Sequence, residues 1–117
     1  MMNTIKLSIF SIVGDSFCVA AEDGEMVFKQ IQRGIEEKKA LVISFQNIDM
    51  LTSAFLNTAI GKLYGEYDEK IVKQYLSVED INDSDKLLLK RVIDTAKAYY
   101  KDPTQFEDSI KKIMEEN

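Results

Sequence analysis

Residues 41–56, LVISFQNIDMLTSAFL, constrain the fold more than any other part of the chain, because a buried strand there runs through a short polar turn straight into a capped helix. Residues 41–45 are apolar and suited to the middle of a sheet. Asn47 and Asp49 are turn formers, and the hydroxyl of Thr52 or Ser53 can cap the helix that follows. Such a hydroxyl sits beside unpaired backbone N–H groups and the positive end of the helix dipole, where a phosphate or a partner's carboxylate is favoured. The plainer reading of the same residues is a hydroxyl that only caps.

A chain of 117 residues with 45% hydrophobic content supports one domain with a single core. We expect one domain over residues 1–117, with the sheet and its helices in 1–80 and further helices in 81–117. No apolar run reaches the roughly 18 residues of a membrane span. Residues 1–10 lack the long apolar segment and small-residue cleavage site of a secretory signal, so a cytoplasmic protein is expected. The single Cys18 has no internal disulfide partner and reads as a small strand hydrophobe. A net charge of −5, from 15 Lys and Arg against 20 Asp and Glu, repels nucleic-acid phosphates. Neither nucleic acid nor membrane is expected as a partner.

Along the chain, residues 4–10 alternate Ile5, Leu7 and Ile9 with Lys6 and Ser8, the period of a half-buried strand. Gly14 and Asp15 predict a turn, with residues 16–20 returning as the second strand of a hairpin. Val27, Phe28, Ile31 and Ile35 recur at helical spacing from Glu22 or Asp23 to the cations Lys38 and Lys39, with Gly24 a weak point near the start. After the central strand, Phe55, Leu56, Ala59, Ile60 and Leu63 form an apolar stripe, Gly61 assists its packing and Gly65 is expected to end the helix. Residues 71–76 read as another strand. Asn82, Asp83, Ser84 and Asp85 cap a third helix with Leu87, Leu88, Val92, Ile93 and Ala96 inward. Pro103 opens a short fourth helix carrying Phe106, Ile110, Ile113 and Met114. The order β-β-α-β-α-β-α-α predicts an α/β domain with a mixed sheet of four or five strands in a single layer flanked by helices. Its second face would be only partly covered.

Catalytic groups are scarce. There is no His, which removes the commonest general base and metal ligand, and the lone Cys18 leaves no zinc-type cysteine pair. Phosphate-loop and dinucleotide-binding motifs do not occur. The acidic run from Glu79 and Asp80 to Asp83 and Asp85 lacks the Gly and terminal Glu of a calcium-binding loop and is better explained by helix capping. Tyr64, Tyr67, Tyr99 and Tyr100 could form exposed contact patches, but covering the core edge is the better explanation of each. No metal, cofactor or catalytic residue is expected, and an enzyme is the weakest reading.

Over residues 14–76 the chain resembles the STAS superfamily, and more closely the STAS-like domains of unknown function of bacteria. The resemblance rests on residues 17–20 as a strand, 43–48 as the central strand and Ser53-Ala-Phe-Leu56 at the start of the next helix. STAS domains include the anti-sigma factor antagonists, which bind a kinase-like anti-sigma factor and are switched by phosphorylation at this helix start. The antagonists' Asp-Ser-Ser-Gly turn falls here on Thr52, Ser53, Ala54 and Phe55. Ala54 therefore stands where phosphate is accepted, and only Thr52 or Ser53 has a hydroxyl to replace it. The resemblance implies a regulatory signalling module that binds a protein, with a histidine-kinase-type ATPase as the implied partner.

The expected function is thus non-catalytic protein binding through the turn and helix around Ser53. Thr52 and Ser53 are the candidate phosphorylation or partner-contact residues, and Asn47, Asp49, Phe55 and Asn57 form the expected partner surface. The alternative is a small structural protein, phage- or mobile-element-borne, acting as a homo-oligomer.

Overall fold

Two alternating edge strands, residues 4–8 and 76–79, flank an apolar central strand in the main sheet. In the computed structural model, which describes residues 3–101, the elements run β1 (Thr4–Ser8), α1 (Ile9–Val13), β2 (Phe17–Cys18), α2 (Ala21–Glu36), β3 (Ala40–Ser44), β4 (Met50–Leu51), α3 (Ser53–Leu56), a π-helical turn (Asn57–Gly61), α4 (Leu63–Glu66), α5 (Glu69–Tyr75), β5 (Leu76–Glu79) and α6 (Asp83–Lys101). A three-stranded sheet has the order β1-β3-β5, and both of its pairings are parallel. Ile5, Leu41 and Leu76 lie side by side in register, as do Leu7, Ile43 and Val78, so one face is apolar. The other carries the exposed Lys6 and Ser77, and the Lys6–Glu79 ion pair at 2.7 Å lies among these polar residues.

Both crossovers, β1 to β3 and β3 to β5, step the same way across the sheet. Right-handed connections then put their helices on one face. The core lies between, with Ile9, Val27, Ile31, Leu41, Ile43, Phe55, Leu56, Ile60 and Leu63 all buried. Each such side chain contributes on the order of 1.5–3 kcal/mol by leaving water.

The expected hairpin at the N-terminus does not form. Ile9 belongs to α1 instead, because the Ser8 side chain accepts a hydrogen bond from the Ser11 N–H and caps a helical turn that Gly14 ends at φ 80°. That turn carries the chain away from β1, and β2 pairs in parallel with β4, Phe17 opposite Met50 and Cys18 opposite Leu51, as a separate two-stranded sheet. All the strand pairings are parallel among the described residues, which replaces the mixed single-layer sheet expected above.

Residues 71–76 correct a second expectation. Ile71 and Val72 lie in α5, where the Ile71 and Val72 N–H groups both donate to the Asp68 carbonyl, and the strand begins only at Leu76. A short apolar run does not distinguish a strand from one face of a short helix. Gly65 does not end its helix, which continues to Glu66; the Tyr100 ring lies so close that a Cβ at Gly65 would come within 2.4 Å of it. On α6, Leu89 rather than Leu87 is buried with Val92 and Ala96, while Leu87 is 60% exposed. The helix expected from Pro103 lies outside the described residues.

Gly24 joins the layers. A Cβ there would stand 2.7 Å from the Phe55 carbonyl oxygen and 2.9 Å from the Thr58 Cβ, so α2 lies directly on the backbone at the start of the second helical stretch. Gly34 is equally close to Leu41, but the atoms it would meet belong to a flexible side-chain end. Gly24→Ala is therefore expected to destabilise the fold, since overpacking of about 1–3 kcal/mol outweighs the ~1 kcal/mol that Ala gains over Gly in a free helix. Urea unfolding of Gly24→Ala and Gly34→Ala, with the larger loss at Gly24, checks this; a stabilised Gly24→Ala would contradict it.

Candidate functional site

The chain leaves β3 at the C-terminal end of the sheet, the end where open parallel sheets present their loops for binding. Asn47, at φ 67°, turns it, and the Asp49 N–H donates to the Ser16 carbonyl at 2.8 Å. Asn tolerates this left-handed conformation better than most residues. Two residues of β4 follow, and the Thr52 N–H donates to the Cys18 carbonyl at 3.2 Å.

Thr52 is the cap. Its hydroxyl accepts from the Phe55 N–H at 3.2 Å and donates to the Val19 carbonyl at 2.8 Å, so both of its functions are used in tying the helix entrance to β2. The helix then widens through Asn57–Gly61, where the Lys62 N–H donates to the Asn57 carbonyl at 2.9 Å in a π turn, and Ala59, Ile60 and Gly61 are all buried. Lys62 in turn ion-pairs with Glu25 of α2 and stands over the Phe28 ring, 4.5 Å from its centroid.

Of the expected surface residues, Asn47, Asp49, Ser53 and Asn57 are exposed. Phe55 is not. Its side chain is wholly buried in the core, which removes it from any partner-facing surface: it lies two residues past the outward Ser53, where a helix has turned toward the sheet. Ser53 and Asn57, one helical turn apart, line a shallow groove of about 250 Å³ with Leu88, Arg91, Val92 and Thr95 of α6. The spacing of those four α6 residues marks a helix face, but nothing in the sequence says that it meets Ser53.

Sequence reasoning also missed the surface beside this entrance. Phe17, Val19 and Met50 are 52%, 41% and 51% exposed. Phe17 and Met50 are direct partners in the small sheet, and Val19 accepts the Thr52 hydroxyl just beyond it. Strands of two residues carry no readable alternation.

The other candidate groups are engaged. Asp80 accepts from the Ser44 hydroxyl at 3.1 Å, the Asn82 side chain accepts from the Asp85 N–H at 2.8 Å, and Glu79 meets Lys6. Among the described residues no group of three or more His, Cys, Asp or Glu is arranged to hold a metal ion. Tyr64, Tyr67 and Tyr100 line an open groove of about 480 Å³ with Asp68, Glu69 and Lys97. A hydrogen bond between Lys97 and Glu69 raises the ammonium pKa and lowers that of the carboxyl. Burial raises the pKa of both Tyr64 and Tyr67.

The sequence model of the family described as STAS-like domain of unknown function (DUF4325) matches residues 23–86. The chain belongs to that family. No curated protein and no solved structure matches it. The matched span runs from the start of α2 through the helix entrance to the start of α6, and so includes Asn47, Asp49, Thr52, Ser53 and Asn57. No helix among the described residues is long and apolar enough to cross a membrane.

Two measurements test this geometry. Thr52→Ala should lower stability by about 1 kcal/mol or more through the lost cap, whereas Ser53→Ala should stay within about 0.5 kcal/mol of the parent; equal losses in urea would contradict the division of labour. Cys18, pushed up from 9.0 to about 11 by burial, then by Asp23 and Asp15, remains protonated in the fold at a pH where the unfolded chain ionises. Its contribution is complete below pH 9 and is lost as pH rises towards 11. The stability of Cys18→Val relative to the parent should therefore improve across that window, and a constant difference would contradict the shift.

Proposed function

We propose that this chain is a non-catalytic regulatory module that binds a protein partner through the turn and helix entrance around Ser53. The observation that carries the reading is the contrast between neighbours at that entrance. Thr52 is committed to the cap, while Ser53 and Asn57 stand exposed on a helix whose Phe55 and Leu56 are anchored in the core. A surface held this firmly can be gripped with little loss of conformational entropy.

Family membership supports the reading, since STAS-like domains resemble proteins that work by docking. A kinase-like ATPase or anti-sigma-type regulator is the partner class that the resemblance implies. The Ser53 hydroxyl is the group at this entrance open to a regulatory phosphate, in place of the missing hydroxyl at Ala54. A phosphoryl group on Ser53 would add about −1.5 to −2 charges beside the groove that also holds Arg91, a cation able to pair with it. The modification would then change the face offered to the partner.

Affinity purification of the tagged full chain from its native cells, beside Ser53→Glu and Asn57→Arg variants of unchanged urea midpoint, tests the proposal. A protein recovered with the parent and reduced at least ~10-fold by either variant, a loss of about 1.4 kcal/mol, is the expected result. Identical recovery with all three would reject this surface.

A further inference from the structure

Phe17 and Met50 of the β2–β4 sheet and Val19 just beyond it are exposed apolar side chains, and the chain segments that carry them hold one sign of charge. Residues 7–28 and 40–61 contain Asp15, Glu22, Asp23, Glu25 and Asp49 but no Lys or Arg, although the chain has 15 basic residues. Asp15 sits at the edge of the patch, its carboxylate accepting from the Phe17 N–H at 3.0 Å. Asp49 is exposed and immediately precedes Met50. Glu25 is neutralised by Lys62, and Arg91 lines the groove beside Ser53 from α6.

From this arrangement we infer that the β2–β4 face is a docking surface for a partner-protein segment that presents apolar side chains bracketed by Lys or Arg. An apolar centre with an acidic rim selects such a segment twice: burial of Phe17, Val19 and Met50 supplies affinity, and the carboxylates supply orientation and association rate. A second copy of this chain is a poor fit, because a symmetric contact would bring Asp15 and Asp49 of one copy against the acidic rim of the other. Membrane surfaces and nucleic acids, being anionic, are repelled by the same rim. The inference rests on the reading that the chain works by protein docking, and it names a face beside Ser53 rather than Ser53 itself.

A random 16-residue peptide library displayed on phage, selected on the full-length chain, is the test. Enriched peptides should carry Lys or Arg around a Leu, Ile, Phe or Met core. As synthetic peptides they should lose at least ~10-fold in affinity on Phe17→Ser/Met50→Ser, and several-fold on Asp49→Lys, which leaves the apolar residues in place. Binding should weaken from 50 to 500 mM salt and be unchanged by Ser53→Glu. Urea midpoints confirm that each variant is folded. Failure to enrich any peptide, enrichment without basic residues, or equal binding to Phe17→Ser/Met50→Ser overturns the inference and leaves the Ser53 surface to its own test. Peptides lost only on Ser53→Glu would place docking at the helix entrance and overturn this face. Light scattering that shows a dimer of the parent, dissolved by Phe17→Ser, would assign the patch to a second copy and overturn it as well.

Discussion

At Gly24 one helix rests on the backbone carbonyl of Phe55, and this close approach sets the spacing of the layers. Because α2 can rest on backbone there, the start of the second helical stretch is pressed against it, and Phe55, Leu56, Ala59 and Ile60 enter the core. Any side chain at position 24 would separate the two helices. The Thr52 cap then has a fixed place from which to reach both the Phe55 N–H and the Val19 carbonyl, and the small β2–β4 sheet is held to the helix entrance. Glycine, which would weaken an isolated helix, here sets the spacing between layers.

Much of this is legible in the residues themselves. The alternation of Ile5 with Leu7, the apolar run around Ile43 and the helical spacing of Val27, Phe28, Ile31 and Ile35 each follow one period, and each forms the expected element. The helix entrance at Thr52 and Ser53 was equally plain, from a hydroxyl pair at the end of a turn. Gly24 was visible as a local weakness, but its packing partner lies in a distant part of the chain.

What the sequence concealed falls where local preference is weak or tertiary contacts decide. Ile9 fits the strand pattern, yet the Ser8 cap and Gly14 make it helical. Ile71 and Val72 are β-branched and still sit in α5, because their N–H groups are taken by Asp68. Phe55 read as a contact residue since nothing local distinguishes a buried aromatic from an exposed one at a helix start. Pairing of β2 with β4, and with it the exposure of Phe17 and Met50, depends on residues more than 30 positions apart in sequence. The groove beside Ser53 is likewise made by α6, whose approach no local pattern encodes.

A helix entrance anchored in the core through Phe55 and Leu56 should be a rigid platform. Residue-by-residue amide hydrogen exchange by NMR at Phe55 and Leu56, whose N–H groups bond to the Thr52 hydroxyl and carbonyl, addresses it most directly. Protection comparable with Ile43 in the central strand is expected, so that the entrance opens only when the whole domain unfolds. Exchange at those amides as fast as in an exposed loop, with Ile43 still protected, would contradict it.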